Sequence, residues 1–559
     1  MADMSFDVVY AGGGYGALMS APYFCMNGMS VGIFEGLPEL GGGHASDSMP
    51  TPGFTGNPHA HAMVAQLAPQ VQDFEIWKYG GILRLPRNLM DYVSREDRTG
   101  FRIKYAEDYN METGAGNFQY DIFEANYESL AKISKRDADL CKELVQKMLV
   151  GGWLYAVMMD WLNPPPPYGE KEWMEKLYTD KDAPLDPRLQ YLSCAEISRE
   201  LFEDRRFQMF FTRLNGMMGF WPDRLMSPLM VLLQASFALG LGGAGWWEGG
   251  THQIVHALQR LLGELGAKSF VDHEVDKIIV ENGKAKGIRL VNGAEIEAKK
   301  FVVTNVDPRQ LTFRFLRDVN IDDKIKRKLR NLTADVSTLF WGWIAHHEPA
   351  QYYAEEFCPG IGDAFAVVMG DDDMDYIEKQ YRADNQAIRP GKWPSKMYFW
   401  AGTQSINDPR MAPPGKYNTI IEELGPPASA MSEREWQQVK REIGPRMVEE
   451  WRKFAPNMTD DNIIGVNIET PGDFVRRDGT MIEGSWQMGV SPAMHQWGRY
   501  RPIPEYSRYT VPGVEGLYCT GIGWHSNFGS PAGFAYNMYK QCAWDHGLRE
   551  FWKEKGRDW

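Results

Sequence analysis

Between Asp7 and Glu35 the chain runs through an apolar strand, DVVYA, a glycine cluster, a helix-compatible stretch from Ala17 to Asn27 and a second short strand, Ser30 to Phe34, that ends on an acid. That succession is the signature of a β-α-β unit. Gly12-Gly13-Gly14-Tyr15-Gly16-Ala17 fits G-x-G-x-x-G/A, with Gly12, Gly14 and Ala17 in the three small positions. Gly12 permits the tight turn, Gly14 lets backbone approach a pyrophosphate, and Ala17 lets the helix pack closely on the strand. The start of the helix offers unpaired N–H groups and a partial positive charge to phosphate. Glu35 closes the second strand where a carboxylate holds ribose hydroxyls. With strand, glycines, helix and acid all in register, the unit reads as a dinucleotide site rather than a structural turn. An acid in this place suits an adenosine ribose without a 2′-phosphate, so NAD and FAD both qualify.

The chain has 559 residues, more than one core accommodates, so two or more domains are expected. Hydrophobic residues at 43% and charged residues at 24% describe a folded chain rather than a disordered one. A formal charge of −14 argues against a nucleic-acid partner, because phosphate binding needs a basic face. Six cysteines, at 25, 141, 194, 358, 519 and 542, show neither C-x-x-C nor metal-like spacing, and read as reduced thiols. Met1 to Phe6 lacks the basic and apolar regions of a secretory signal, which makes cytoplasmic residence the expectation. No H-E-x-x-H, G-x-S-x-G or P-loop occurs, leaving metalloprotease, serine-hydrolase and ATPase chemistry without support.

Leu225 to Trp247 carries no charge and is long enough to span a bilayer. Pro228, Gln234 and the glycines at 240, 242, 243 and 245 interrupt it, so it reads as a buried helix followed by a glycine-rich turn. From about Phe74 to Gly169 the pattern is helical and mixed, closing on a proline run at 164–167 that acts as a semi-rigid connector. Ile254, Leu258, Leu261, Leu262 and Leu265 then follow helical spacing. Alternating strands come next, with Asn282-Gly283 and Asn292-Gly293 as hairpin turns. The end is distinct: an apolar strand GLYCTG, a glycine-bearing loop and a last helix from about Pro531.

Three blocks resemble the phytoene-desaturase and amine-oxidase superfamily of FAD-dependent oxidoreductases. The first is Leu40-Gly41-Gly42-Gly43-His44-Ala45-Ser46 after the ribose acid, where the family has G-G-R; this chain departs from it by carrying His44 in place of Arg. The second runs from Gly250 through a helix and strand to Val275, whose backbone meets the adenine in the family, and on to the turn Thr304 to Pro308. The third, GLYCTGIGWHSNFGSPAGFAYN, resembles the C-terminal flavin motif. Together they cover roughly a quarter of the chain. The resemblance implies an α/β fold: a discontinuous Rossmann-type FAD-binding domain (1–75, 248–340 and 490–559) and an α+β substrate-binding domain of mixed sheet and helices (76–247 and 341–489). It implies FAD contacts at Gly12, Gly14, Ala17, Glu35, Gly42, Gly43, His44, Val275 and Gly521, and at Ser530, Pro531 and Ala532, where a helix N-terminus stabilises negative charge at the flavin.

The activity so implied is dehydrogenation or desaturation, with hydride passing from an apolar terpenoid, carotenoid-like or cyclic substrate to flavin N5 and onward to an electron acceptor that the sequence leaves unnamed. The alternative is a redox-neutral isomerase or hydratase acting on a C=C bond. Candidates for acid or base work are His59 and His61, in GNPHAHA, and His525, in GIGWHSNFG; for His59 and His61 the reading as hydrogen-bonded residues of a polar turn has the edge. Trp153, Trp161, Trp221, Trp246 and Trp247 suit an apolar tunnel or an ordinary core. Peripheral contact with a membrane and self-association stay open.

Overall fold

The computed structural model describes residues 3–62, 64–105, 109–116, 120–150, 161–165, 186–217, 219–225, 229–334, 338–485, 489–491, 493–525 and 532–557. Two sheets organise it. In the larger, eight-stranded sheet, Met4–Ala11 lies between Val31–Phe34 and Glu295–Thr304, parallel to both. Lys268–Phe270 extends it beyond Val31–Phe34, and Val514–Cys519 pairs parallel to Glu295–Thr304. Strands that are neighbours in this sheet therefore come from the beginning, middle and end of the chain. The Asn282-Gly283 turn joins Val275–Glu281 to Lys284–Leu290 as an antiparallel hairpin, with φ of 50° and 74° at its two residues, the left-handed pair that a two-residue hairpin demands.

The seven-stranded second sheet runs in the order Ile463–Glu469, Leu339–His346, Tyr417–Leu424, Trp400–Thr403, Ala366–Gly370, Asn88–Ser94 and Gly100–Lys104. All its pairings are antiparallel except Ala366–Gly370 with Asn88–Ser94. One face packs on helices that include Arg205–Met217 and Leu229–Ala238; the other, through Phe340, Ile344, Ile421 and Ile468, packs on Val439, Ile443 and Met447 of the helix Glu433–Arg452. The hairpin Asn88–Ser94 with Gly100–Lys104 lies in the stretch read as helical and mixed; it forms because Leu89, Met90, Tyr92 and Val93 are all buried, a two-sided apolar strand whose pattern mimics a helix segment.

Local chemistry shapes the first crossover. The helix expected from Ala17 to Asn27 is two short ones, Tyr15–Leu18 and Ala21–Met26. Pro22 breaks it, since its ring lacks an N–H and collides with the carbonyl four residues back. Ser20 fills the break by donating its hydroxyl to Gly16 O (2.8 Å). Leu229–Ala238 is a ten-residue buried helix that ends near Gly240 at φ 77°, and among the described residues no helix is long and apolar enough to cross a membrane. The last long helix spans Gly533–His546, with Ala532 in a left-handed cap at φ 51°.

Candidate active site

Between the two sheets lies a cavity. Part of its wall is backbone: Gly14, Tyr15 and Gly16 from the first loop, Gly41, Gly42 and Gly43 from the second, and Gly521 and Gly523 from the third. Gly12, at φ 102°, makes the turn only glycine adopts readily, and its N–H donates to Phe34 O (2.9 Å). Ala17 is fully buried. Glu35 braces this loop, its two carboxylate oxygens accepting the N–H groups of Gly13 (2.7 Å) and Leu37 (2.8 Å). Burial raises the Glu35 carboxyl above its ordinary range, and nearby Asp478 adds to this, against the lowering effect of those N–H donors. Each oxygen retains a second lone pair for a hydroxyl.

Val64, Leu89, Met90, Leu214, Phe237, Met481, Ile522 and Phe534 supply the cavity's apolar lining, with Phe534 next to Gly16 and Met481 next to Gly43. The tryptophans proposed as tunnel walls are not among the lining residues; Trp221 and Trp247 are fully buried core side chains, and Trp153 lies outside the described residues. A tunnel wall needs side chains that stop at the cavity, and these indoles interlock with their neighbours instead.

Three histidines are buried without charge. His44 stacks on Tyr15 at 3.7 Å between ring centroids, its Nε2 is unpartnered, and burial, helped by His252, pushes its pKa down to about 3. His59 lines the cavity with neither ring nitrogen hydrogen-bonded; burial first, then the Arg477 charge, pushes it down to about 3. His61 is also unpartnered at both nitrogens and held down to about 3 by burial, but it faces Trp341, Phe365 and Trp400 rather than the cavity. The loop carrying His59 and His61 is fixed at Asn57. Its carbonyl accepts the indole N–H groups of Trp341 (2.7 Å) and Trp343 (2.9 Å), and its side-chain oxygen accepts Thr251 N (2.9 Å) and Ser46 Oγ (2.7 Å).

The remaining candidates divide. Val275 begins its strand next to the Glu35 segment, where His273 N donates to Glu35 O (2.7 Å), and its own carbonyl accepts Arg314 Nη2 (3.2 Å). His525 stands off the cavity wall with its ring nitrogens against Gly498 O (2.9 Å) and Asn163 O (3.1 Å). It shares the job of holding 161–163 with Asn537, which donates to Trp161 O (2.8 Å), and Lys540, which donates to Leu162 O (3.1 Å). Ala532 accepts Gln70 Nε2 at its carbonyl (3.1 Å). Ser530 and Pro531 lie outside the described residues.

Sequence reading missed Asn305 and the Asp478–Met481 turn. Asn305 donates its N–H to Ala11 O (3.1 Å), and its amide stands so close to Gly14 and Gly16 that a Cβ on either would overlap it. The signal was present in the Thr304 to Pro308 block. Asp478, Thr480 and Met481 close the cavity from the second unit and carry no motif.

The glycine-loop wall of the cavity suits the diphosphate of a dinucleotide. No Lys or Arg is among the described residues that line it, so a diphosphate would rest on backbone N–H groups of the glycine loops.

No family model matches the chain. Along 570 aligned residues it is 25% identical to one of the subunits of a limonene dehydrogenase from Castellaniella defragrans, covering 98% of this chain and 96% of that one. It is 25% identical over 344 residues to a ζ-carotene-forming phytoene desaturase of Myxococcus xanthus, 60% and 59% of the two chains. Its fold matches that of a putrescine oxidase with a TM-score of 0.54 at 14% identity, over 97% and 99% of the chains. The end-to-end likeness to a dehydrogenase, the desaturase matches and the shared α/β fold make this chain similar to the phytoene-desaturase-like FAD-dependent oxidoreductases.

Proposed function

We propose that the protein is an FAD-dependent dehydrogenase or desaturase that removes hydride from an apolar, terpenoid-like substrate. The observation carrying this reading is the cavity whose wall combines the backbone of three glycine loops with Leu, Met and Phe side chains. When bound, FAD supplies the hydride acceptor and passes the electron pair to an acceptor outside the chain.

The protein's own groups do the rest. Gly14, Gly42, Gly43 and Gly521 let backbone approach the cofactor, and Glu35 holds the first loop in shape while offering lone pairs to ribose. The helix Gly533–His546 brings Phe534, in its first turn, to the cavity, so its positive end stabilises negative charge developing there. The apolar walls exclude water and orient the substrate. His59, with both ring nitrogens unpartnered on the wall, is placed to take the proton that leaves the carbon adjacent to the one losing hydride while the C=C bond forms between them; its depressed pKa makes it hand that proton on rather than keep it.

The test is the absorbance spectrum of purified protein before and after denaturation, followed by anaerobic titration with terpenes. Released FAD and bleaching by substrate support the reading. A colourless protein that FAD does not reconstitute overturns it, and turnover with no net electron acceptor redirects it to isomerisation or hydration.

A further inference from the structure

In the second sheet Glu422 is paired directly with Trp341 on one neighbouring strand and with Trp400 on the other. Directly opposed residues point to the same face, so the three side chains form a row, Trp341, Glu422, Trp400, with the two indoles two strand spacings apart. The His61 ring lies 5.1 Å from the Trp341 ring and 4.7 Å from that of Trp400. A ring that near to both indoles sits in the gap between them, over Glu422. Phe365 stacks on His61 at 5.5 Å and closes the side.

Among the described residues of this aromatic enclosure, four polar atoms lack any hydrogen-bond partner: both His61 nitrogens, Glu422 Oε2 and Trp400 Nε1. His61 and Glu422 are 3% and 4% exposed. Unpaired buried polar atoms are costly and rare, and a cluster of them in one place marks a position where a polar atom from outside the chain belongs. Glu423, next in sequence, shows the contrast, with Tyr398 N, Leu424 N and the Tyr381 hydroxyl all donating to its carboxylate. The enclosure adjoins the cavity. Ala60 and Ala62, on either side of His61, line it, as does Met90, which shares the sheet face of Trp341 and Trp400.

We infer that His61, Glu422 and the Trp400 indole form a polar subsite behind the cavity wall at Ala60 and Ala62 that receives a neutral oxygen, the hydroxyl or carbonyl of an otherwise apolar substrate. Burial holds His61 neutral and pushes the Glu422 carboxyl well above its ordinary range, with Arg213 opposing and Glu423 reinforcing that rise. A neutral imidazole, a protonated carboxyl and an indole N–H together offer donors and acceptors without net charge. They match an alcohol, ketone or aldehyde, and they disfavour both an ion and a bare hydrocarbon. The inference rests on the apolar-substrate reading above and narrows it to oxygenated molecules.

Binding is measured on the holoprotein, after its flavin content has been recorded, by calorimetry and by quenching of tryptophan fluorescence. The probes are matched skeletons of ten, fifteen and twenty carbons, each as hydrocarbon, alcohol and ketone. In at least one size the alcohol or ketone binds roughly tenfold or more tightly than its hydrocarbon, the factor expected for one or two buried hydrogen bonds. Glu422→Leu and His61→Phe each abolish that preference while hydrocarbon affinity stays within about threefold, given that one uncharged hydrogen bond is the only term removed. The inference is overturned if no oxygenated probe outbinds its hydrocarbon in any size, or if the preference survives both substitutions. A colourless protein with an intact preference sinks the flavin reading alone; a flavin-loaded protein with equal affinities sinks the subsite alone.

Discussion

Replacing His61 by Phe turns the buried imidazole into a pH-dependent stability measurement. The folded-state pKa is depressed, from 6.5 to about 3, so on acidification the unfolded chain binds the proton first. The stability arising from a neutral His61 is complete above about pH 6.5 and drains away as pH falls toward about 3. Integrating the linkage gives a loss of ~1.4 kcal/mol by about pH 5.5 and ~2 kcal/mol by about pH 5.0. Phe does not titrate and suits the site of Trp341, Phe365 and Trp400. The difference in unfolding free energy, native protein minus variant, is therefore flat from about pH 8 to 7 and falls by those amounts in acid. Urea denaturation followed by tryptophan fluorescence at four pH values reads it directly. Taking the difference cancels the opposing contribution of carboxyls whose pKa is raised by burial, such as Asp91 at about 7, which favour the folded state as pH falls. A difference that stays constant between pH about 7.5 and 5.0 would refute the placement of His61 in a dry, unpartnered site.

Three further outcomes follow from the geometry. Glu35→Gln leaves one of two backbone N–H groups facing an amide NH₂, so FAD affinity, read by quenching of flavin fluorescence, falls by roughly tenfold or more, equivalent to the ~1–3 kcal/mol of an unsatisfied donor. Gly41→Ala places a Cβ 2.7 Å from Val255 Cγ2 at a φ of 112°, a conformation that strains alanine by ~1–3 kcal/mol; the thermal midpoint drops and the apoprotein takes up FAD incompletely. Asn57→Ala removes the acceptor for Thr251 N and Ser46 Oγ, which lowers stability by ~1–3 kcal/mol and should appear as faster hydrogen exchange at Thr251 than in the native protein.

How much of this was readable in the residues depended on whether the feature was local. The glycine turn, the acid at 35 and the Asn-Gly hairpins are dictated by backbone requirements within a few residues, and each occupies its expected element. The break at Pro22 was equally local and legible in principle, since the proline was in view. The pairing of Asn88–Ser94 with Ala366–Gly370, by contrast, joins segments far apart in the chain, and a strand buried on both faces lacks the alternation that would announce it. The Trp341, Glu422 and Trp400 row was invisible for the same reason. Glu422 sits in a run, TIIEEL, that reads as an ordinary half-exposed strand until the neighbouring strands supply the two indoles.

The first sheet carries a consequence for how the protein is made. Asn27 donates to the Tyr539 hydroxyl across 512 residues of sequence, and Arg549 N donates to the Asn27 side chain across 522. Val514–Cys519 must be synthesised before Glu295–Thr304 acquires its last parallel neighbour. At roughly 5–20 residues per second, a ribosome would hold the amino-terminal crossover for tens of seconds with that edge open and apolar. Long-range pairings of this kind fold slowly, so the nascent chain is a natural client for chaperones. Cofactor added before Val514–Cys519 is in place would meet an unfinished site.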